Sequence, residues 1–550
     1  MLIPWIHRCW QSFSAVGLIV GTVFFAASLT PSLLPRTFFT QGVLSGVSLA
    51  AGYGVGVFGL WLWDYMELPK PGRRAQGTVK LLASLVCGIS AFAYLWQTAE
   101  WQNSIRVLMH LEPVDTAHPL RVGLIALVVF TALIAVARLF QFTFRFVSVR
   151  LDRIVPIRVS RVVSIAIAVF LFWSTVNGVI FRNALRTADA AFKALDELAD
   201  VGIDQPADPF KTGSSASLVD WGSLGRAGRE FISTGPGRDD IEKFSGVAAV
   251  EPVRVYAGLR SAENAEARAE LALAELIRVG GFDRSVLIIA TPTGTGWMDP
   301  AAMDTLEYLH RGDVASVAMQ YSYLTSWLSL LVEPGYGAEA SRALFETVYG
   351  HWTALPKENR PRLFLFGLSL GALSSEQSTM LFEILADPIQ GALWSGPPFP
   401  SRAWRSVTAE RNPGSPAWLP RFRGGSAIRF TSQTNALDIP DAEWGPLRIV
   451  YLQYASDPIV FFDPQSLYRE PDWMKAPRGP DVSPAFRWYP IVTMLQLTVD
   501  MTVATTTPVG YGHVYAPEHY IDAWLEVTAP EGWAAEDASR LKELFKAPGR

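Results

Sequence analysis

The stretch PRLFLFGLSLGALSSE, residues 361–376, decides how this 550-residue chain is read. An apolar run, Leu363 to Phe366, meets Gly367-Leu368-Ser369-Leu370-Gly371, and a helix-compatible segment follows from Ala372 to Leu385. Strand, sharp turn and helix are the context in which the serine of a G-x-S-x-G pentapeptide becomes a nucleophile. Side chains flanking so sharp a turn would collide with the backbone, which makes Gly367 and Gly371 the elbow positions. The Ser369 hydroxyl is then pushed out at the carboxyl end of a strand. The Leu370 N–H, at the amino end of the helix, can help to hold an oxyanion. In a chain with 43 glycines the pentapeptide alone says little; the plainer reading is a glycine-rich turn whose serine caps a helix. The flanking strand and helix favour the nucleophile.

Composition divides the chain. Half of the residues are apolar, 18% are charged and the mean hydropathy is +0.20, as in a membrane protein with a soluble part. The net charge of −4 conceals an asymmetry. Residues 1–180 hold 14 Lys/Arg against 6 Asp/Glu, and the remainder holds 33 against 45. An acidic second half without a basic stripe or zinc-finger spacing speaks against nucleic acid as a partner. The two cysteines, Cys9 and Cys87, both fall in the first half. The second half therefore has neither a disulfide nor a cysteine metal ligand.

Five apolar stretches approach or reach spanning length, about 12–30, 41–63, 79–97, 121–140 and 161–180. The second carries Gly42, Gly46, Gly52, Gly54, Gly56 and Gly59, so it is expected to pack closely against its neighbours. Loop 64–78 has Lys70, Arg73 and Arg74, and loop 141–160 has Arg145, Arg150, Arg153 and Arg158; the loops between are poorer in positive charge. The positive-inside rule puts the two rich loops in the cytoplasm. Five crossings then place everything after residue 181 outside, which implies a plasma-membrane protein with an extracytoplasmic second half. Tryptophans such as Trp61, Trp63, Trp96 and Trp101 flank the spans as an aromatic belt would. No span has a charge near its centre, so anchoring in the lipid bilayer, rather than ion or proton conduction, is the expected role.

From about residue 252, short apolar runs alternate with amphipathic helices. Strands are expected at Val253–Ala257, Ser285–Ala290, Val314–Tyr321, Leu363–Phe366, Gly391–Ser395 and Leu447–Tyr454. Helices are expected at Ala262–Val279, Pro300–Arg311 and Ala338–Trp352. This alternation predicts an α/β fold, a mainly parallel sheet with helices on both faces. The domain order is then a transmembrane helical domain (1–184), a polar connector (185–250), a catalytic domain (251–530) and a C-terminal tail (531–550).

Four segments, ATPTGTGW (290–297), GLSLGALSSE (367–376), YASDPIVFF (454–462) and GYGHVYAPEHY (510–520), resemble the α/β-hydrolase fold. More narrowly, the chain looks like the bacterial membrane-anchored α/β-hydrolase family, which joins an N-terminal helical membrane region to such a domain. The resemblance covers nearly the whole chain and implies a fold and a chemistry rather than a substrate.

A serine hydroxyl barely ionises at neutral pH and needs a base, whose tautomer a carboxylate fixes. The fold's chain order of serine, acid, histidine is met by Ser369, Asp457 and His513. Asp457 follows an apolar run and precedes Pro458, so it lies in a loop at a strand's carboxyl end; Asp463 is the substitute. His513 sits on the glycine-supported loop Gly510-Tyr511-Gly512. His310 and His351 precede the nucleophile near helix ends, and His519 falls inside the last helix. The second oxyanion donor is expected from the loop after Ser285–Ala290, with Thr293, Gly294 and Thr295 as candidates. One departure stands out. The fold usually has a strand between the acid and the histidine, whereas 464–508 offers a Pro-rich stretch and an apolar helix-like run, Trp488–Val503. That segment, and the Pro-, Trp- and Arg-rich 396–446, could form a cap, rest on the membrane surface, or be extended loops.

The expectation is a membrane-anchored serine hydrolase, esterase- or lipase-like, acting on an acyl ester of lipid origin without metal or organic cofactor. Acyl length and oligomeric state stay open. An acyltransferase uses the same residues with an alcohol in place of water. A non-catalytic receptor or assembly protein that keeps the fold is the reading from another class.

Overall fold

The computed structural model describes residues 12–69, 72–153, 155–174, 203–323, 335–379, 382 and 384–546. They form two compact units. The first takes in residues 1–185 together with 462–474 and 480–503, and the second 186–461, 475–479 and 504–550.

The first unit is built on helices α1 (Ala15–Leu29), α2 (Phe38–Tyr65), α3 (Arg73–Arg106), α4 (Pro119–Leu151) and α5 (Ile157–Trp173). Three of these, α2, α3 and α4, are long and apolar enough to cross a membrane. Five spans were expected. The first, α1, has only 15 residues, and the described part of the fifth, α5, has 17; residues 175–180 of that stretch lie outside the described residues. At about 1.5 Å per residue, 28 to 34 residues exceed the roughly 30 Å of a hydrocarbon core. The glycines of α2 act as foreseen, though not all of them. A Cβ on Gly42 or Gly46 would meet α4 at 2.7 Å, and one on Gly52 or Gly56 would meet α1 at 2.7 Å, whereas Gly54 and Gly59 face open space. Close backbone approach therefore sets the α1–α2–α4 packing.

The second unit carries seven strands: β1 (Val253–Ala257), β2 (Val286–Thr291), β3 (Val314–Met319), β4 (Arg362–Leu368), β5 (Gly391–Ser395), β6 (Ile428–Thr431) and β7 (Arg448–Leu452). All pair in parallel, in the order β1-β3-β2-β4-β5-β7-β6. Strands of such a sheet are buried on both faces, which is why β2 and β3 read as unbroken apolar runs and are buried throughout. Between them run α6 (Ala265–Arg278), α7 (Pro300–Leu309), α8 (Tyr336–Ala354), α9 (Leu370–Ser378) and α10 (Arg402–Ala409). Register decides where chemistry can occur. Thr291 is opposite Gly367, Leu368 opposite Ser395, and Ser395 opposite Leu452. Four strands thus end level, and the loops that follow β2, β4, β5 and β7 emerge along one edge.

The segment 396–446 supplies β6, an edge strand that sequence reasoning missed. It pairs outside β7, so the sheet is closed off beyond the acid-bearing strand by chain that precedes it. No strand occurs between residues 457 and 513, and none is needed there. Instead the chain contributes 462–474 and 480–503 to the first unit, ending in α11 (Val492–Thr502), the helix expected at Trp488–Val503. Two further helices, α12 (Pro517–Thr528) and α13 (Ala535–Lys546), complete the second unit.

Two domain boundaries need revision. Described residues of the 185–250 connector place Leu224, Phe231, Ile232 and Ile241 in the core of the second unit. Among the described residues of the 531–550 stretch, α13 docks Leu541 into the same core, fully buried.

Candidate active site

Ser369 stands between β4 and α9 with φ 58° and ψ −125°, a backbone conformation that a non-glycine residue adopts only under constraint. The constraint is visible in its neighbours. A Cβ on Gly367 would lie 2.4 Å from the Gly371 carbonyl, and one on Gly371 would lie 2.1 Å from the Thr291 carbonyl oxygen. Both elbow glycines are needed so that β4, α9 and the end of β2 can touch. The Ser369 N–H donates to the Ser395 carbonyl at 2.9 Å, pinning the elbow to β5. Leu370 opens α9, so its N–H has no acceptor within the helix. At the far end of α9, Glu376 accepts the Ala403 N–H at 2.8 Å and the Tyr451 O–H at 3.3 Å. Burial raises its pKa above the usual carboxylate range.

The two residues expected as acid and base meet. His513 Nδ1 lies 2.6 Å from Asp457 Oδ2, with Asp457 fully buried and His513 8% exposed. The same Oδ2 accepts the Tyr515 O–H at 2.7 Å, and Oδ1 accepts the Ile459 N–H at 2.8 Å. Three donors thus hold an acceptor-only carboxylate, and that carboxylate fixes the proton on His513 Nδ1. The histidine loop is tied down by its backbone. The His513 N–H reaches Ala504 O at 3.0 Å, and the Gly512 N–H reaches Ser456 Oγ at 2.9 Å. The ring rests on Gly396, the residue after Ser395, where a Cβ would come 2.6 Å from His513 Cε1. The imidazole therefore lies beside the strand end that holds the Ser369 N–H. His513 Nε2 is buried and has no hydrogen-bond partner among the described residues, Ser369 Oγ included. An apo active site commonly holds this hydrogen bond loose until substrate arrives.

The loop after β2 folds into a tight turn against the elbow. The Thr293 N–H donates to Trp297 O at 3.0 Å and the Gly296 N–H to Thr293 O at 2.9 Å. Tyr256 Oη donates to Gly296 O at 2.7 Å, and Gln320 Nε2 to Thr295 O at 3.2 Å. Of the three residues expected to help an oxyanion, Thr293, Gly294 and Thr295, the first has its N–H engaged within the turn.

The other candidates are elsewhere. Asp463 caps the short 3₁₀ turn Pro464–Leu467 through the Gln465 N–H. His310 Nε2 pairs with Thr528 Oγ1 at 2.8 Å, the His351 ring packs on Phe282, and His519 Nδ1 lies 2.6 Å from Tyr454 Oη. Sequence reasoning missed Tyr515, Ser456 and Gly396. Tyr515 is two residues beyond His513, a spacing that carried a signal only once the acid was placed. Behind Tyr515 stands Tyr520, whose O–H donates at 2.9 Å to Asp299, a buried carboxylate pushed up to about 7 chiefly by burial. Among the described residues, no three His, Cys, Asp or Glu side chains gather as metal ligands.

A family model described as the alpha/beta-hydrolase family matches residues 253–541, and one described as the N-terminus of that family matches residues 29–236. No curated protein and no solved structure is detectably similar to the chain. The first match spans more than half of the sequence and contains the parallel sheet, the elbow and the buried Asp–His pair, so the chain belongs to the alpha/beta-hydrolase family.

Proposed function

We propose that the protein is a membrane-anchored serine hydrolase that cleaves an acyl ester, with Ser369 as nucleophile, His513 as general base and acid, and Asp457 as the orienting carboxylate. The observation that carries this reading is the state of the imidazole: Nδ1 held by a buried carboxylate, Nε2 buried and unpartnered, and the ring set on the strand end that pins Ser369. Ser369 Oγ attacks the acyl carbon while its proton passes to His513 Nε2. The carbonyl oxygen becomes an oxyanion facing the Leu370 N–H and the peptides of the Gly294–Thr295 turn. As the tetrahedral centre collapses, the ester C–O bond breaks and His513 returns the proton to the leaving alcohol. Water then attacks the acyl-serine, again losing a proton to His513, and releases the acid and Ser369. No step needs a metal or organic cofactor.

The anchor supports a lipid-derived ester as substrate, and the packing of the first unit supports an extracytoplasmic position for the hydrolase half. Within that unit the C-terminal segment bonds to the α1–α2 loop and to Ser104, through Asp500 with Arg36 and Ser483 with Ser104. Those groups lie at the helix ends opposite the positively charged α2–α3 and α4–α5 loops, which the positive-inside rule puts in the cytoplasm. A fluorophosphonate probe tests the chemistry. Wild-type protein in detergent should be labelled at Ser369, and Ser369→Ala should lose the label. A folded but unlabelled wild type would favour a receptor or assembly role. Transfer of the acyl group to an added alcohol in preference to water would make the enzyme an acyltransferase.

A further inference from the structure

The sheet ends on β6, and the outer edge of that strand is unpaired. In a parallel ladder alternate residues bond to the neighbouring strand, and the residues between them turn their N–H and C=O the other way. The Ile449 N–H reaches Ala427 O at 2.8 Å and the Gln453 N–H reaches Thr431 O at 3.0 Å, so Ala427, Arg429 and Thr431 face β7. The N–H and C=O of Ile428 and Phe430 therefore face away from the sheet. Among the described residues no hydrogen bond meets them there. The opposite edge of the sheet differs: the outward carbonyl of Arg254 in β1 accepts Thr212 Oγ1 at 3.1 Å.

A cleft of about 530 Å³ is lined by Ile428, Arg429 and Phe430 together with chain from 412–416 and 419–422. Three of those covering residues, Pro413, Pro416 and Pro420, have no N–H to offer the strand. The strand is held stiffly from both faces. The Phe430 ring stacks on Tyr451 at 5.0 Å, and the Arg429 guanidinium lies 3.9 Å from the centre of the Trp444 ring. Its edge is set in extended form before anything binds.

Two donors and two acceptors alternate along this edge with a repeat of about 6.6 Å. A small anion would satisfy the donors alone, and an apolar molecule neither kind. A second extended backbone meets all four. Charge narrows the partner further. Arg421 lines the cleft, is exposed and makes no ion pair among the described residues. Residues 402–429 hold six arginines against one carboxylate, Glu410, in a half of the chain that is otherwise acidic. Complementarity calls for a partner that carries carboxylates.

We propose that the free edge of β6 is a docking site for an extended, acidic peptide segment of a partner protein, which joins the sheet as an eighth strand with a carboxylate against Arg421. The site stands whether or not Ser369 is a nucleophile.

The test uses the full chain in detergent and a fluorescent octapeptide of alternating glutamate and valine, followed by fluorescence anisotropy. The peptide should bind saturably, and its lysine–valine counterpart about ten-fold more weakly or not at all. Ile428→Pro removes one outward N–H at a position where an edge strand tolerates proline, and leaves Arg429 and Thr431 bonded to β7. It should weaken binding about ten-fold, while Ile428→Val keeps the wild-type affinity. Ala436→Trp, which fills the cleft from a half-buried position, should abolish binding without touching the ladder. Arg421→Gln should weaken it several-fold at low salt and flatten its salt dependence. Absence of saturable binding to the wild type would overturn the proposal, as would binding that Ile428→Pro, Ala436→Trp and Arg421→Gln all leave unchanged. So would a photocross-linking side chain at position 413 that captures another stretch of this chain, or a second copy, in place of the added peptide.

Discussion

Asp457 carries the orientation of His513 through one oxygen that it shares with Tyr515. Converting the acid to Asp457→Asn replaces an acceptor by a group that can donate to Nδ1, which stabilises the wrong tautomer; kcat should fall by roughly 10³- to 10⁴-fold with the fold intact. Tyr515→Phe removes only one of three donors to a buried carboxylate. It should lower the melting temperature, in line with a loss of about 1.5–3 kcal/mol, and reduce kcat far less than the asparagine does. Equal effects of the two changes on kcat would mean that the acid is not what orients the ring. His310 has a different role. Burial, helped by the nearby Arg362 guanidinium, depresses it to about 3. Its neutral form is the one the fold accepts, so its contribution is complete above the unfolded value near 6.5 and is lost as pH falls below that value. Between pH 7.5 and 5 wild type should lose about 2 kcal/mol of stability that His310→Gln retains, read as the shift of thermal midpoint with pH. The contrast shows what residue-level reading can reach. The elbow at Ser369 and the pairing of Asp457 with His513 were legible because a strand, a loop or a glycine-rich turn frames each residue in the sequence. Tyr515, Ser456 and Gly396 were not, because their meaning depends on which distant atom they face.

At the level of elements, six of the seven strands were legible as short, mostly apolar runs, with ends matched or shifted by up to two residues. The seventh, β6, escaped notice because Ile428-Arg429-Phe430-Thr431 is only four residues long, carries a charge and lies in a Pro- and Arg-rich stretch. That arginine is buried, and its guanidinium is spent on the carbonyls of Gly425, Leu437 and Ala442, so it braces the loop rather than facing solvent. A similar exception governs α11. Asp500 lies on an apolar helix yet is fully buried, and its two oxygens accept from Arg36 Nε at 3.0 Å and from the Leu33 N–H at 3.1 Å. The Arg36 side chain is likewise inaccessible. Removing one partner of such a pair strands the other: Arg36→Met or Asp500→Leu alone should cost about 3–5 kcal/mol, seen as a large drop in the melting temperature of the detergent-solubilised chain. The double variant should recover much of the loss, because two apolar groups leave no buried charge unpaired. A double variant as unstable as the worse single would show that the backbone contact to Leu33 matters more than the pairing.

On the scale of the whole chain, a tether joined to a self-sufficient enzyme was the natural reading, since hydropathy changes abruptly near residue 181. Sequence order hid which segments fold together: residues 462–474 and 480–503, which lie between Asp457 and His513, fold with the helical unit. Gln496 donates to the Thr30 carbonyl at 3.1 Å, Ser483 meets Ser104 at 2.8 Å, and Asp500 takes Arg36. The excursion returns at Ala504, whose carbonyl receives the His513 N–H. A chain beginning at residue 186 keeps Ser369, Asp457 and His513 but leaves this excursion without its partners. Its apolar face and the carboxylate of Asp500 would then meet water, and the entropy of some forty unanchored residues would act on the peptide that carries the base. Such a chain should aggregate or, if kept soluble, react with a fluorophosphonate far more slowly than the full protein in detergent. Co-expression with residues 1–185 as a separate chain should restore part of the rate, because the excursion regains its contacts without a covalent link. Labelling of the shortened chain at the full-length rate would reduce the helical half to an anchor and nothing more.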